Sequence, residues 1–126
     1  MEGISINDLD ITGLSALYVA CHSGNKGIVQ YLLSQNVNLN VKGPKNSTIF
    51  HCLAERDFPD IVDMILEKNK ELIYVQDDDG NTCMHTAVVW SGIRIVQSLF
   101  EAGGEKLVRI KNNEDEDALE TALDEN

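Results

Sequence analysis

No stretch of this chain approaches the roughly 18 consecutive apolar residues that a membrane-crossing helix needs, and the opening decapeptide, Met1 to Asp10, holds acids but no base, so neither a span nor a secretory leader is expected. Bases are scarce: 10 Lys+Arg stand against 21 Asp+Glu, a formal net charge of −11 over 126 residues. Nucleic acid is therefore a poor partner, because affinity there rests on neutralising phosphates. A protein with a basic surface suits this charge better. Cysteines are few as well. Cys21, Cys52 and Cys83 cannot all pair within one chain and form no C-x-x-C. That suggests free thiols in a reducing compartment, cytoplasmic or nuclear. Asn46-Ser47-Thr48 matches a glycosylation pattern, but without a leader it reads as chance.

The acid is unevenly spread. From 114 to 126 the chain carries seven carboxylates and no Lys or Arg, which leaves a net of only −4 on all the rest. Such a run reads as a solvated, partly disordered tail, with a dedicated binding tail as the alternative.

The informative feature is a repeat. A shift of 33 residues puts Ser15-Ala16-Leu17-Tyr18 on Thr48-Ile49-Phe50-His51, Ile28-Val29 on Ile61-Val62 and Leu32-Leu33 on Ile65-Leu66. A further shift of 34 reaches Thr82-Cys83-Met84-His85, with Val62 on Val96 and Ile65-Leu66 on Leu99-Phe100. Each unit reads as turn, helix, turn, helix. Ser15, Thr48 and Thr82 are good caps for orphan helical N–H groups. The second stretch of each unit has apolar residues at i, i+1, i+4 and i+5, one face of a helix. Asn36, Asn69 and Gly103 follow it, suited to a left-handed position past a helix end. Gly13, Asn46 and Gly80 stand two residues ahead of each cap and predict a turn with positive φ. Pro59 opens a second helix, where its missing N–H costs nothing. A fourth, broken copy is expected near Thr121-Ala122-Leu123, beyond an insert-like run from Gly104 to Asp117, with a degenerate cap from about residue 118.

Helices this short are marginal alone, so the units must stack and share a core, which specifies a short all-α solenoid. The markers Asp77-Asp78-Asp79-Gly80-Asn81-Thr82-Cys83-Met84-His85-Thr86-Ala87 and Asp10-Ile11-Thr12-Gly13-Leu14-Ser15-Ala16-Leu17-Tyr18 resemble the ankyrin repeat. So does Thr48-Ile49-Phe50-His51, although Gly43 and Asn46 depart from the pattern before it. No copy has the family proline; Ala16, Ile49 and Cys83 stand there, Tyr18 replaces the first histidine, and Asp57 replaces a glycine between helices. The resemblance covers about residues 8–103. Repeats are expected near 10–40, 43–74 and 77–104, with the cap and tail at 105–126, all in one domain.

The resemblance implies helix pairs with β-hairpin-like fingers, and a non-catalytic module that grips a partner protein on its concave side as inhibitor, adaptor or tether. An alternative is a regulatory piece of a larger enzyme, channel or receptor. Carried over by position, the contact residues are Thr12 and Leu14 (with Ile11); Pro44, Lys45 and Ser47; Asp78, Asp79 and Asn81; and, at the first-helix ends, His22 and Ser23, Glu55 and Arg56, Val89 and Trp90. Trp90 is the strongest candidate, since Trp is enriched among binding hot spots; its alternative is ordinary core. Lys45 and the run Asp77–Asp79 give neighbouring fingers opposite sign, which could orient a charged partner. Asp77-Asp78-Asp79-Gly80 lacks the spacing and closing Glu of a calcium loop. Thr48 with His51 and Thr82 with His85 take structural roles near the caps. Cys52 beside His51 and Cys83 near His85 are explained by the repeat, so no catalysis, cofactor or metal is expected. The chain is expected to be monomeric, although Ile4, Ile6 and Leu9 could leave an apolar end open to self-association.

Overall fold

The computed structural model describes residues 5–10 and 14–124. Helices follow in pairs: α1 Ala16–Ser23 and α2 Lys26–Ser34, α3 Ile49–Arg56 and α4 Pro59–Lys68, α5 Cys83–Trp90 and α6 Ile93–Val108. A single helix, α7 Ala118–Asp124, ends the described chain. Among the described residues there is no strand, only an isolated antiparallel bridge between Leu9 and Ser15. None of the helices is long and apolar enough to cross a membrane.

The first helices form one row, α1 on α3 on α5 on α7, and the second helices another, α2 on α4 on α6. The core lies between the rows and runs the length of the stack: Leu17, Phe50 and Met84 from the first helices, Val29, Ile65 and Leu99 from the second. Cys21 is buried among them, as its repeat position requires.

Each first helix starts where its cap residue dictates. Ser15 accepts from the Tyr18 N–H at 3.1 Å, Thr48 from Phe50 and His51, and Thr82 from His85. Ahead of each cap a finger closes with one backbone bond: Asp10 N–H to Leu14 carbonyl, Gly43 to Ser47, and Asp77 to Asn81, at 2.8–2.9 Å. Asn46 and Gly80 have φ of 57° and 79°, as their spacing predicts. Gly13 lies outside the described residues, as do Ile4, Ile11 and Thr12.

Several expectations need correction. Past the second helices Asn36 is left-handed, with φ 56°, but Asn69 is extended at −159°. Its carboxamide accepts from the Glu71 N–H instead, at 2.8 Å, and starts a 3-10 turn over Glu71–Tyr74 that absorbs the one-residue excess and buries Leu72 and Ile73. Gly103 stays inside α6, and Gly104 takes the positive φ, 57° with ψ −153°, kinking the helix there. That combination is open essentially to glycine alone.

The larger correction concerns the acidic segment, which is not a loose tail through Asp124. Asn112 N–H donates to the Glu116 carbonyl at 2.9 Å, closing a fourth finger, with Asp115 at φ 62° where Gly80 stands one unit earlier. Asp117 then caps α7, accepting from the Glu120 N–H at 2.9 Å, while the Glu120 carboxylate accepts from the Asp117 N–H at 3.2 Å. This reciprocal cap is the capping-box arrangement. The fourth copy thus starts at Asp117-Ala118-Leu119-Glu120, not at Thr121, and Ala118 is buried against α5. The stretch from Gly104 to Asp117 is no insert: it holds the end of α6 and this finger.

Candidate functional site

The fingers are sewn to one another. Asp78 N–H donates to the Lys45 carbonyl at 2.9 Å, and the Asn46 amide donates to the Asp78 carboxylate at 2.9 Å. Asn113 N–H reaches the Asp79 carbonyl at 3.0 Å, and the Asn112 amide reaches the Asn81 side-chain oxygen at 3.0 Å. The Asp77 carboxylate accepts from the N–H groups of Asp79 and Asn81, holding its own turn. Three fingers are therefore fixed relative to one another before any partner arrives, which reduces the ordering cost of binding.

Between these fingers and the first helices lies a polar groove of about 410 Å³. Pro44, Lys45, Ser47, Asp79 and Asn81 line it from the finger side, and Glu55 and Trp90 from α3 and α5. Seven residues singled out from the sequence thus meet on one surface. Trp90 is 65% exposed, so it is not ordinary core. Arg56 and Asp78 are exposed and Val89 is half-buried, but none of the three lines the groove. Leu14 belongs to a separate depression at the first unit, with Ile6, Leu9 and Val19. His22 and Ser23 are exposed at the end of α1. Thr12 falls outside the described residues.

Lys45 and Asp79, expected to present opposite signs to a partner, meet each other at 3.3 Å. Both are more than half exposed, so the pair adds little stability, about 0–1 kcal/mol. Glu55 from α3 and Asp77 from the finger also line it, which leaves the groove acidic on balance.

Below the groove the two histidines bind the stack. His51 Nδ1 accepts from the Thr48 N–H at 3.1 Å, so its Nε2 carries the proton and donates to the Asn81 carbonyl at 2.7 Å. His85 repeats this with Thr82 at 3.1 Å and with the Glu116 carbonyl at 2.9 Å. Each ring ties its own cap to the next finger. Burial lowers the pKa of both imidazoles, opposed in each case by the Asp77 charge. In the first unit Tyr18 takes the equivalent place. Its ring lies so close to Gly43 that a Cβ there would stand 2.3 Å from it, and burial pushes its hydroxyl up to about 12.

Burial also raises the thiols, to about 12 for Cys21 and Cys83 and about 11 for Cys52. Thiolate is the nucleophilic form, so these groups are unreactive near neutral pH. Both nitrogens of each neighbouring imidazole are engaged by the backbone. Among the described residues no group of three or more His, Cys, Asp or Glu is placed to hold a metal ion. What the surface offers is contact area, a rigid frame and negative charge.

The fourth finger and Glu116 escaped the sequence reading. The available signal was the spacing of Asp10, Gly43, Asp77 and Asn112, which lengthens by one residue at each step, and the pair Asp117 and Glu120 in place of Thr and His.

Comparison with known proteins gives the stack its family. The family model described as ankyrin repeats (3 copies) matches residues 1–72. Alpha-latrotoxin-Lhe1a of Latrodectus hesperus is 32% identical over 101 residues, covering 79% of this chain and 7% of the toxin. The transient receptor potential cation channel subfamily A member 1 of Homo sapiens is 29% identical over 104 residues, 78% of this chain and 9% of the channel. Leucine-rich repeat serine/threonine-protein kinase 1 of Caenorhabditis elegans is 29% identical over 73 residues, 58% of this chain and 3% of the kinase. The chain spans less than a tenth of the length of these relatives. With the repeating caps, the stacked helix pairs and a family match over more than half its length, the chain belongs to the ankyrin-repeat family.

Proposed function

We propose that the groove between fingers and first helices binds a partner protein and that the chain acts as an inhibitor, adaptor or tether without chemistry of its own. The observation that carries this reading is Trp90, a large, 65% exposed side chain on the wall of a groove whose fingers are already locked together. Trp in a rigid setting supplies contact area at low entropic cost. The acidic balance of Glu55, Asp77 and Asp79 against Lys45 supports a partner with a basic patch, attracted by long-range charge before contact. Buried free thiols support a reducing compartment, cytoplasmic or nuclear. By itself the chain acts as a monomer.

The length of the relatives supports a second reading, in which these repeats regulate a larger enzyme, channel or receptor. Both readings use the same groove.

The test is the triple variant Trp90→Ala, Lys45→Glu, Asp79→Lys. A protein captured from lysate by the wild-type chain is identified, purified and remixed with each form. Direct binding to wild type and loss with the variant, at nearly unchanged thermal unfolding, supports the groove. Equal binding by the variant rejects it.

A further inference from the structure

The row of second helices changes character at its far end. In α4 the four apolar residues Ile61, Val62, Ile65 and Leu66 are all buried, because α2 covers one side and α6 the other. In α6 the same repeat positions are Ile95, Val96, Leu99 and Phe100. Ile95 and Leu99 are buried, but Val96 is only half-buried and Phe100 is 49% exposed. The uncovered pair is the pair that a next second helix would cover. The neighbouring α7 is a first helix, and among the described residues no second helix follows it. Between α6 and α7 lies an apolar groove of about 350 Å³, lined by Met84, Val88, Ile93, Val96, Phe100 and Leu119. Ile93 and Leu119 stand 75% and 62% exposed on its rim.

Charge repeats along the same row. Lys26 of α2 meets Asp60 of α4 at 3.7 Å, and Asp60 meets Arg94 of α6 at 2.7 Å. The three positions are 34 residues apart and alternate in sign. Arg94 also meets Asp63 of α4 at 3.6 Å, and its side chain remains 60% exposed, with guanidinium N–H groups open on the uncovered side.

We infer that this groove docks one amphipathic α-helix of a separate partner protein, with apolar side chains at i, i+1, i+4 and i+5 and a carboxylate in its first turn facing Arg94. The stack itself supplies the template, since α4 lies on α2 and α3 as the docked helix lies on α6 and α7. Asp60, Ile61, Val62, Ile65 and Leu66 of α4 meet the specification. A carboxylate in the first turn also suits the helix dipole. Helix-in-groove binding of this kind is read through its spaced apolar anchors. This surface is separate from the finger groove, so the two readings stand or fall independently.

The probe is a fluorescent, end-capped peptide with the sequence of residues 57–70, titrated against the full chain by anisotropy. Saturable binding below about 1 mM is expected, with a loss of about tenfold or more for Phe100→Glu and for Leu119→Glu, where a charge meets an apolar contact. Asp60→Lys in the peptide should weaken binding, and Trp90→Ala in the chain should leave it unchanged. Phe100 and Leu119 are exposed, so both variants should fold, and thermal unfolding checks this; Ile93→Glu serves if either does not. Absence of saturation overturns the inference, and so does undiminished binding by the folded variants. Light scattering that shows a dimer abolished by Phe100→Glu assigns the groove to a second copy and overturns it as well.

Discussion

His51 Nε2 donates to the backbone carbonyl of Asn81 at 2.7 Å, thirty residues further along the chain. One imidazole thereby closes the cap of its own helix and fixes the next finger, and His85 does the same one unit later. The finger that carries Asp79 and Asn81 is held from beneath by His51, and the fourth finger by His85.

Removing either ring should therefore destabilise the stack beyond a simple loss of volume. His51→Ala and His85→Ala each leave a buried cap N–H without its acceptor and take one of two donors from a finger carbonyl, a cost of about 1–3 kcal/mol. Urea unfolding monitored by circular dichroism measures this. A change below about 0.5 kcal/mol, the range of ordinary surface substitutions, would mean that water replaces the ring.

The same rings make stability depend on acid. Burial lowers both folded-state pKa values beneath the usual histidine value of about 6.5. Above that pH both folded and unfolded states are neutral, so no dependence arises from these groups. Below it the unfolded chain takes up protons that the folded chain refuses. Stability then falls as pH drops, by at most about 1.4 kcal/mol per histidine per pH unit. Urea midpoints at pH 7.5 and pH 5.0 should differ in the wild type, and the difference should shrink in the double variant His51→Gln, His85→Gln.

Gly43 is required for space, not for its φ of −107°. An added Cβ would fall 2.3 Å from the Tyr18 ring. Gly43→Ala should cost about 1–3 kcal/mol as overpacking. In a Tyr18→Leu background the same change should cost markedly less, and a double-mutant cycle reads that coupling. Additive effects would remove the steric explanation.

The acidic segment should behave as a structural cap. Ala118 is 1% exposed against α5, so Ala118→Arg should lower thermal stability strongly. Glu114→Gln, on an exposed part of the fourth finger, should change it by no more than about 0.5 kcal/mol. Equal, small effects of the two changes would return the segment to a solvated tail.

Much of this molecule is written in local code. Ser15, Thr48 and Thr82 announce helix starts because a side-chain oxygen two or three residues ahead of an orphan N–H acts without outside help. Val29, Ile65 and Leu99 announce a shared core because their spacing fits one helical face. The fourth unit was hidden because Asp115 does the work of Gly80, and Asp117 with Glu120 the work of Thr82 with His85. These are different residues satisfying the same backbone groups. Asn69 misled for the converse reason: its side chain found a nearer partner in the Glu71 N–H, so the left-handed turn was not used.

The period, the caps and the apolar faces are legible residue by residue, since each rests on contacts within a few residues. Packing between units is what pairs Lys45 with Asp79, turns Trp90 outward, closes the acidic run into a fourth finger and leaves α6 half covered. Each of those depends on what the neighbouring unit places within reach, and a side chain's exposure and partners are properties of the stack as a whole.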